Sequence, residues 1–388
     1  MNHPLKGIKV LEFARILAGP WAGQVLADLG AEVIKVESPE GDDTRSWGPP
    51  FVEGKDSDLD AAYFHSCNRG KKSVIADIKT KQGLELVKNI VKESDIIIEN
   101  FKVGSLKKYN LDYDSLNKLN SRLIYCSITG FGQNGPYAQK PGYDFMIQAL
   151  SGIMDLTGDP NGEPQKMGVA FVDIFTGLYS VIAIQAALKV REETGRGQFI
   201  DMSLMDSMTA VLANQALNYF VSGINPNRLG NAHPNIVPYQ TFPTNDGFLV
   251  VAVGNNSQFE RLCQALDISE IIASEQFKNN SNRVKNRKLL EEIISSKTIK
   301  YSRINLLSIL EKHLVPVGSV NKISEAFDDP QIKYRKLKIE TPHTGSKNGF
   351  SPGLRTPIIF SSSSLDYNRG VPRLGEHSKE IEKKYKKK

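Results

Sequence analysis

Asp95-Ile96-Ile97-Ile98-Glu99 is apolar at every interior position. A strand with one wet face alternates polar and apolar side chains. An unbroken apolar run of this length belongs to a strand covered on both faces, as in a parallel sheet. The neighbouring segments agree. Residues 8–12, 32–37, 72–78, 122–128 and 197–203 read as further strands. Residues 20–30 and 80–93 read as helices, the first with Pro20 in its opening turn and Gly30 at its close. Alternation of this kind predicts an α/β fold built on a doubly wound parallel sheet.

Farther along, helices dominate 142–188, and a helix follows the strand at 197–203 to about 219. Composition then shifts: residues 223–238 are rich in Asn, Pro and Gly and read as a linker. Phe248-Leu-Val-Val-Ala-Val253 reads as a strand, followed by the polar turn Gly254-Asn-Asn-Ser257 and a helix. Helices from about 286 and 303 and a strand over 313–320 complete a second, smaller α/β domain at 221–329. The large domain takes 1–220 and 330–388. The segment from 330 onward is Pro/Gly-rich and reads as irregular.

The chain has 388 residues, 40% hydrophobic and 24% charged, which suits a soluble globular protein of one large or two ordinary domains. No apolar run approaches the ~20 residues of a bilayer span, and no signal-peptide core precedes the first strand, so the expected location is cytoplasmic, with no membrane partner. The net charge is +6, but the last eight residues, with five lysines against one glutamate, supply +4 and leave +2 for the rest. That distribution excludes a dedicated nucleic-acid binder. Cys67, Cys126 and Cys263 are too far apart for a metal or disulfide framework and read as reduced thiols. The six histidines show no ligand spacing, so no metal is expected. There is no Gly-x-Gly-x-x-Gly, no Gly-x-x-x-x-Gly-Lys-Ser/Thr and no Gly-x-Ser-x-Gly, which argues against a nicotinamide dehydrogenase, a P-loop hydrolase and an α/β-hydrolase.

Met167-Gly-Val-Ala-Phe-Val-Asp173-Ile-Phe-Thr-Gly177 places a carboxylate where a long apolar helix begins. Two readings follow. Asp173 is an N-cap, or it is a nucleophile kept ionised by the helix N-terminus.

Several segments together resemble class III CoA-transferases, the formyl-CoA and carnitine-CoA transferase group. They are Leu-Ala-Gly-Pro at 17–20, Asp-Leu-Gly-Ala-Glu-Val-Ile-Lys-Val-Glu at 28–37, Gly41-Asp-Asp-Thr-Arg45, Asn68-Arg-Gly-Lys-Lys-Ser73, Glu99-Asn-Phe101, Gly142-Tyr-Asp144, Thr194-Gly-Arg-Gly197 and Leu374-Gly-Glu-His377. The resemblance spans essentially the whole chain. Within the family, 47–52, 231–239 and 254–259 are most similar to the branch that exchanges CoA between succinate and glutarate. The resemblance implies an interlocked homodimer in which the segment from about 330 returns to the large domain. It also implies acyl-CoA and carboxylic acid substrates, with coenzyme A as substrate rather than a permanently bound cofactor.

Carried over by position, Asp173 matches the family's nucleophilic aspartate. It would form a mixed anhydride and then an aspartyl-CoA thioester. Arg15, Ile16, Leu17 and Ala18 match the turn that holds the pantetheine. Leu17 replaces a glutamine of formyl-CoA transferases, so backbone N–H groups would have to stabilise the oxyanion. Ser38 stands where some members place a CoA-binding arginine. Lys79, Asn100, Phe101, Lys108, Tyr143 and Asp144 fall at other CoA-contact positions. Arg15, Arg69 and His233 are candidates for the remote carboxylate of a dicarboxylic acceptor, with an ion pair the alternative for Arg69. Gly254, Asn255 and Gln258 lie in the turn that matches a mobile glycine-rich lid, the alternative being a plain strand-to-helix turn. Tyr143 replaces the histidine base of the racemase branch; a phenol of pKa ≈ 10 is a poor base at neutral pH. An acyl-CoA racemase and a non-catalytic CoA-binding protein are the rival readings.

Overall fold

The computed structural model describes residues 2–55, 57 and 59–385; the lysines at 386–388 of the basic tail lie outside them. Two compact units emerge, one of residues 1–153, 167–221 and 333–388, the other of 154–166 and 222–332.

In the larger unit, β1 (Lys9–Glu12), β2 (Glu32–Glu37), β3 (Lys71–Ile75), β4 (Ile96–Glu99), β5 (Ile124–Thr129) and β6 (Phe199–Ser203) form one sheet in the order β3-β2-β1-β4-β5-β6. All five pairings are parallel. Because side chains alternate along a strand, each strand feeds two cores. Val10, Ile96, Ile98 and Cys126 pack with Val25 and Leu26 of the Ala18–Asp28 helix and Ile184 and Leu188 of the Phe171–Thr194 helix. Leu11, Ile34, Ile97 and Tyr125 pack on the other face with Val87, Ile90 and Val91 of the Lys81–Glu93 helix and Ile381 of the Ser378–Tyr385 helix. This is why residues 96–98 are all apolar. Each such side chain contributes about 1.5–3 kcal/mol by leaving water.

The Phe171–Thr194 helix is long and apolar enough, by length and composition alone, to cross a bilayer. The sequence reading expects no such run, because Asp173, Thr176, Ser180 and Gln185 interrupt it, yet its average apolarity stays high. In the fold, Val172, Val181, Ile184 and Leu188 of this helix are buried in the large unit's core. The helix crosses the Ala18–Asp28 helix at Gly177, where a Cβ would stand 2.7 Å from the Ala18 carbonyl oxygen.

The C-terminal segment is not irregular. It forms a β10 (Lys338–Pro342) and β11 (Phe350–Leu354) hairpin and the closing Ser378–Tyr385 helix. Polar anchors join it to the large unit. Thr356 Oγ1 donates to Asp28 Oδ2, and Arg45 donates to the Pro372 carbonyl. These partners lie hundreds of residues apart in sequence, so no local pattern reveals them.

The smaller unit holds an antiparallel sheet of β7 (Tyr239–Thr244), β8 (Gly247–Ala252) and β9 (Val317–Ser319). β7 was not expected, since Pro238 and Pro243 mask its alternation, and β9 is shorter than the strand expected over 313–320. The expected helix to 219 breaks into Leu204–Ala210 and Ala213–Ser222, with Ala213, the first residue of the second, at φ +46°. Residues 154–166 were expected in the large domain. They belong to the smaller unit, where the Arg228 guanidinium donates to the carbonyls of Asp155, Asp159 and Gly162.

Candidate active site

The strand order reverses between β1 and β4, and in open α/β sheets ligands bind at that point, beyond the carboxyl ends of the strands. The segments following β1 and β4 are locked together there. Asn100 Oδ1 accepts the Arg15 N–H at 2.9 Å and Asn100 Nδ2 donates to the Arg15 carbonyl at 2.7 Å.

Two adjoining clefts open at this place, both within the larger unit. One, of about 360 Å³, is lined by Arg15, Ile16, Leu17, Ala18, Asn100, Phe101, Tyr143, Asp144 and Asp173, together with Lys102 and Lys140. The other, of about 320 Å³, is lined by Ser38, Lys79 and Lys108. Arg15 and Phe101 line both. The residues expected around CoA are thus gathered at one edge of the sheet, although they come from distant parts of the chain.

The turn after β1 is held from beneath by charges that the sequence reading did not single out. Glu12, Lys35 and Lys71 are fully buried. Lys35 Nζ pairs with Glu12 at 3.1 Å and Asp42 at 2.9 Å and donates to the Ala14 carbonyl. Lys71 Nζ pairs with Glu12 at 2.8 Å and donates to Asn68 Oδ1 and the Pro20 carbonyl. The two ammonium groups therefore grip the chain on either side of residues 15–18. Burial alone would strip Lys35 of its proton, but Asp42, Glu12 and Glu37 hold its pKa above the usual lysine value. Between these grips, Ile16 adopts φ +72°, which a β-branched residue adopts only under constraint. Its N–H donates to Asp42 Oδ1 at 3.3 Å. The Ala18–Asp28 helix then begins with no side-chain cap. Its first N–H groups have no helical partner, which suits an anion or a developing oxyanion. A signal for this network was present in the sequence, as ionisable residues at interior positions of strands covered on both faces.

Asp173 is the third residue of its helix, whose N-cap is Ala170, with no side-chain cap. It is not the cap. That function comes from elsewhere in the chain: Asp144 Oδ1 accepts the N–H groups of Val172 at 2.9 Å and Asp173 at 3.4 Å. Asp173 is half-buried, and burial, reinforced by the Asp144 charge, pushes its pKa up to about 7. The expectation that the helix end keeps Asp173 ionised is corrected accordingly, because Asp144 occupies the donors that would have done so. Tyr63 lines neither cleft, yet it feels the Asp173 charge. Its phenol is pushed upward by burial and then by the Asp173, Cys67 and Asp144 charges, so it stays a proton donor. Trp47 packs edge-on against it, with centroids 5.4 Å apart. Glu99, at the end of β4, is raised to about 7 by burial and accepts the Phe101 N–H.

Arg15 pairs with Asp43 at 2.8 Å with both side chains half-exposed. Arg69 does not fit its expected role toward a substrate carboxylate. It is buried, its Nε and Nη2 donate to Asp28, and its N–H donates to Gln24. A guanidinium spent on two buried carboxylate oxygens has no fork left for a ligand. His233, Gly254, Asn255 and Gln258 lie in the smaller unit. His233 Nδ1 accepts the Asn235 N–H, and its ring packs on Tyr239. Asn255 caps the Asn256–Ala265 helix by accepting the Gln258 N–H at 2.9 Å, and Gln258 Oε1 accepts the Gly254 N–H at 2.7 Å. This is the geometry of a reciprocally capped strand-to-helix turn. No cluster able to hold a metal ion occurs among the described residues.

The parallel sheet, the clefts at its reversal point and the half-buried aspartate at a helix start place a small-molecule site at one edge of the larger unit. CoA-transferase family III matches residues 5–378, and the chain belongs to that family. A succinate–glutarate CoA-transferase of Agrobacterium fabrum is 55% identical over 97% of this chain and 94% of its own. The succinyl-CoA:glutarate CoA-transferase of Homo sapiens is 41% identical over 98% of this chain and 86% of its own. The crystal structure of a CAIB/BAIF family protein from Brucella suis superposes with a TM-score of 0.89 at 56% identity, covering 99% of this chain and all of that one.

Proposed function

We propose that this CoA-transferase moves CoA from succinyl-CoA to glutarate or a similar dicarboxylate, with Asp173 as the covalent carrier. The observation that carries the proposal is the placement of Asp173 in the cleft with the Arg15–Ala18 turn, together with the names of the similar transferases.

The Asp173 carboxylate attacks the thioester carbonyl, the C–S bond breaks, and CoA thiolate leaves a mixed anhydride behind. The thiolate attacks the Asp173 carbonyl of that anhydride and expels succinate, leaving an aspartyl-CoA thioester. A glutarate carboxylate attacks this thioester, releasing thiolate and forming a second anhydride. The thiolate then attacks the glutaryl carbonyl, giving glutaryl-CoA and the free Asp173 carboxylate. Covalent catalysis splits one difficult exchange into steps of similar energy. Each tetrahedral oxyanion is served by the uncapped N–H groups at 17–19. Lys79 and Lys108 meet CoA phosphates as point charges, and Phe101 offers a ring face to the nucleotide. Arg15 remains open to the remote carboxylate, because its exposed pair with Asp43 is worth only ~0–1 kcal/mol.

The test is mass spectrometry of products from succinyl-CoA and a panel of short mono- and dicarboxylic acids, beside an Asp173→Ala control. New acyl-CoA species that vanish in the control are expected, glutaryl-CoA foremost. Absence of transfer to every acid overturns the reading. With carboxyl-¹⁸O glutarate, the bridging oxygen of the second anhydride stays on Asp173, so the peptide carrying it gains one ¹⁸O.

A further inference from the structure

We infer that Asp144 is a positioning residue for Asp173, and that Gln148 holds it in that role. The inference rests on the reading of Asp173 as the reacting carboxylate. A carboxylate in the first turn of a helix ordinarily settles against the free N–H groups there. In this chain those groups, on Val172 and Asp173, are taken by Asp144 Oδ1. The other Asp144 oxygen accepts Gln148 Nε2 at 2.6 Å. Gln148 is 1% exposed, and its Oε1 accepts the Met167 N–H at 2.9 Å. One side chain thus ties Asp144 to the loop leading into the Asp173 helix, and both Asp144 oxygens are committed.

The consequence is chemical. Asp173 is denied its own helix's donors and lies beside a like charge. Its carboxylate is therefore less stabilised and more basic, which favours attack on a thioester and leaves a better balance between anhydride and free acid. Other charged or titratable groups lining the cleft are Tyr143, Arg15, Lys102 and Lys140, while Tyr63 feels the Asp173 charge from outside the lining and Asp206 sits on the Leu204–Ala210 helix packed against the Asp173 helix. Among the described residues, Asp144 is the one whose charge acts on Asp173 alongside burial.

Asp144→Asn keeps an acceptor for the helix N–H groups, removes the charge and gives up the Gln148 bond, and Gln148→Met gives up that bond alone with the charge kept. In Asp144→Asn the acid limb of kcat/KM for succinyl-CoA should move down by about 0.5–1 pH unit, while KM for the thioester stays within about threefold. Gln148→Met, which frees Asp144 without touching the cleft, should lower kcat about tenfold at unchanged KM. An unmoved acid limb, or a KM rise of about tenfold with kcat unchanged, overturns the inference and makes Asp144 a plain CoA contact. A ¹³C-carboxyl NMR titration, with Asp173→Asn to assign the signal, reads the same quantity without turnover. An Asp173 midpoint that is equal in wild type and Asp144→Asn overturns the inference even if no acceptor acid is found. Loss of transfer in the wild type itself overturns only the proposed function.

Discussion

Asp173 illustrates how far a residue's chemistry depends on who reaches its neighbours first. From sequence, a carboxylate at a helix start is stabilised by the helix and held low in pKa. In the fold, burial comes first, Asp144 takes the helix donors, and the pKa rises to about 7. This has a cost with a definite pH dependence. Below about pH 4 the group is protonated in both folded and unfolded chains, and no penalty arises. Between 4 and 7 the unfolded chain is ionised while the folded one still holds the proton, so stability falls as pH rises. Above 7 the full penalty applies. Asp173→Asn, which cannot ionise, should therefore be more stable than wild type by about 1–3 kcal/mol at pH 8 and nearly equal to it at pH 4. Urea midpoints at the two pH values measure this. A wild type that gains on the variant as pH rises would show a carboxylate stabilised by its helix instead.

At the scale of elements, the turn between β1 and the Ala18–Asp28 helix is fixed by buried ions rather than by its own residues. Glu12→Ala leaves two buried ammonium groups facing one carboxylate fewer, and should cost about 3–5 kcal/mol of stability by denaturant titration. A loss under 1 kcal/mol would mean that water or a rearranged Asp42 replaces Glu12. The Gly254–Gln258 turn is closed by its own cap. Asn255→Ala should cost about 1 kcal/mol; an unchanged unfolding midpoint would show that the cap is dispensable and the turn free to open. Both features have local signals. An Asn-x-x-Gln pattern can be read as a cap from sequence, and Glu12 and Lys35 stand out as charges in strands meant to be dry.

For the molecule as a whole, large apolar side chains are exposed on the larger unit at Leu178, Ile182, Leu217, Phe220 and Val221. Exposed apolar side chains of this size suit an interaction surface. It fits the homodimer that the family resemblance implies. Sedimentation equilibrium should give about twice the 43.0 kDa chain mass, and Phe220→Glu should shift the population toward monomer. A monomeric wild type at micromolar concentration would overturn that expectation.

The sequence by itself determined the parallel sheet and the family, because both are written locally. Apolar runs at 96–98, strand–helix alternation and ordered motifs survive without knowledge of distant contacts. The residues it named around CoA, by position in those motifs, all fall among those lining the clefts. Only the tertiary structure decided what those residues do to each other. Asp144 caps a helix 28 residues away, Arg69 is consumed by Asp28 across 41 residues, and Arg228 draws 154–166 into the smaller unit across more than 60. Such pairings depend on which donor meets which acceptor once water has been excluded. That competition is settled by packing, and no periodicity along the chain records its outcome.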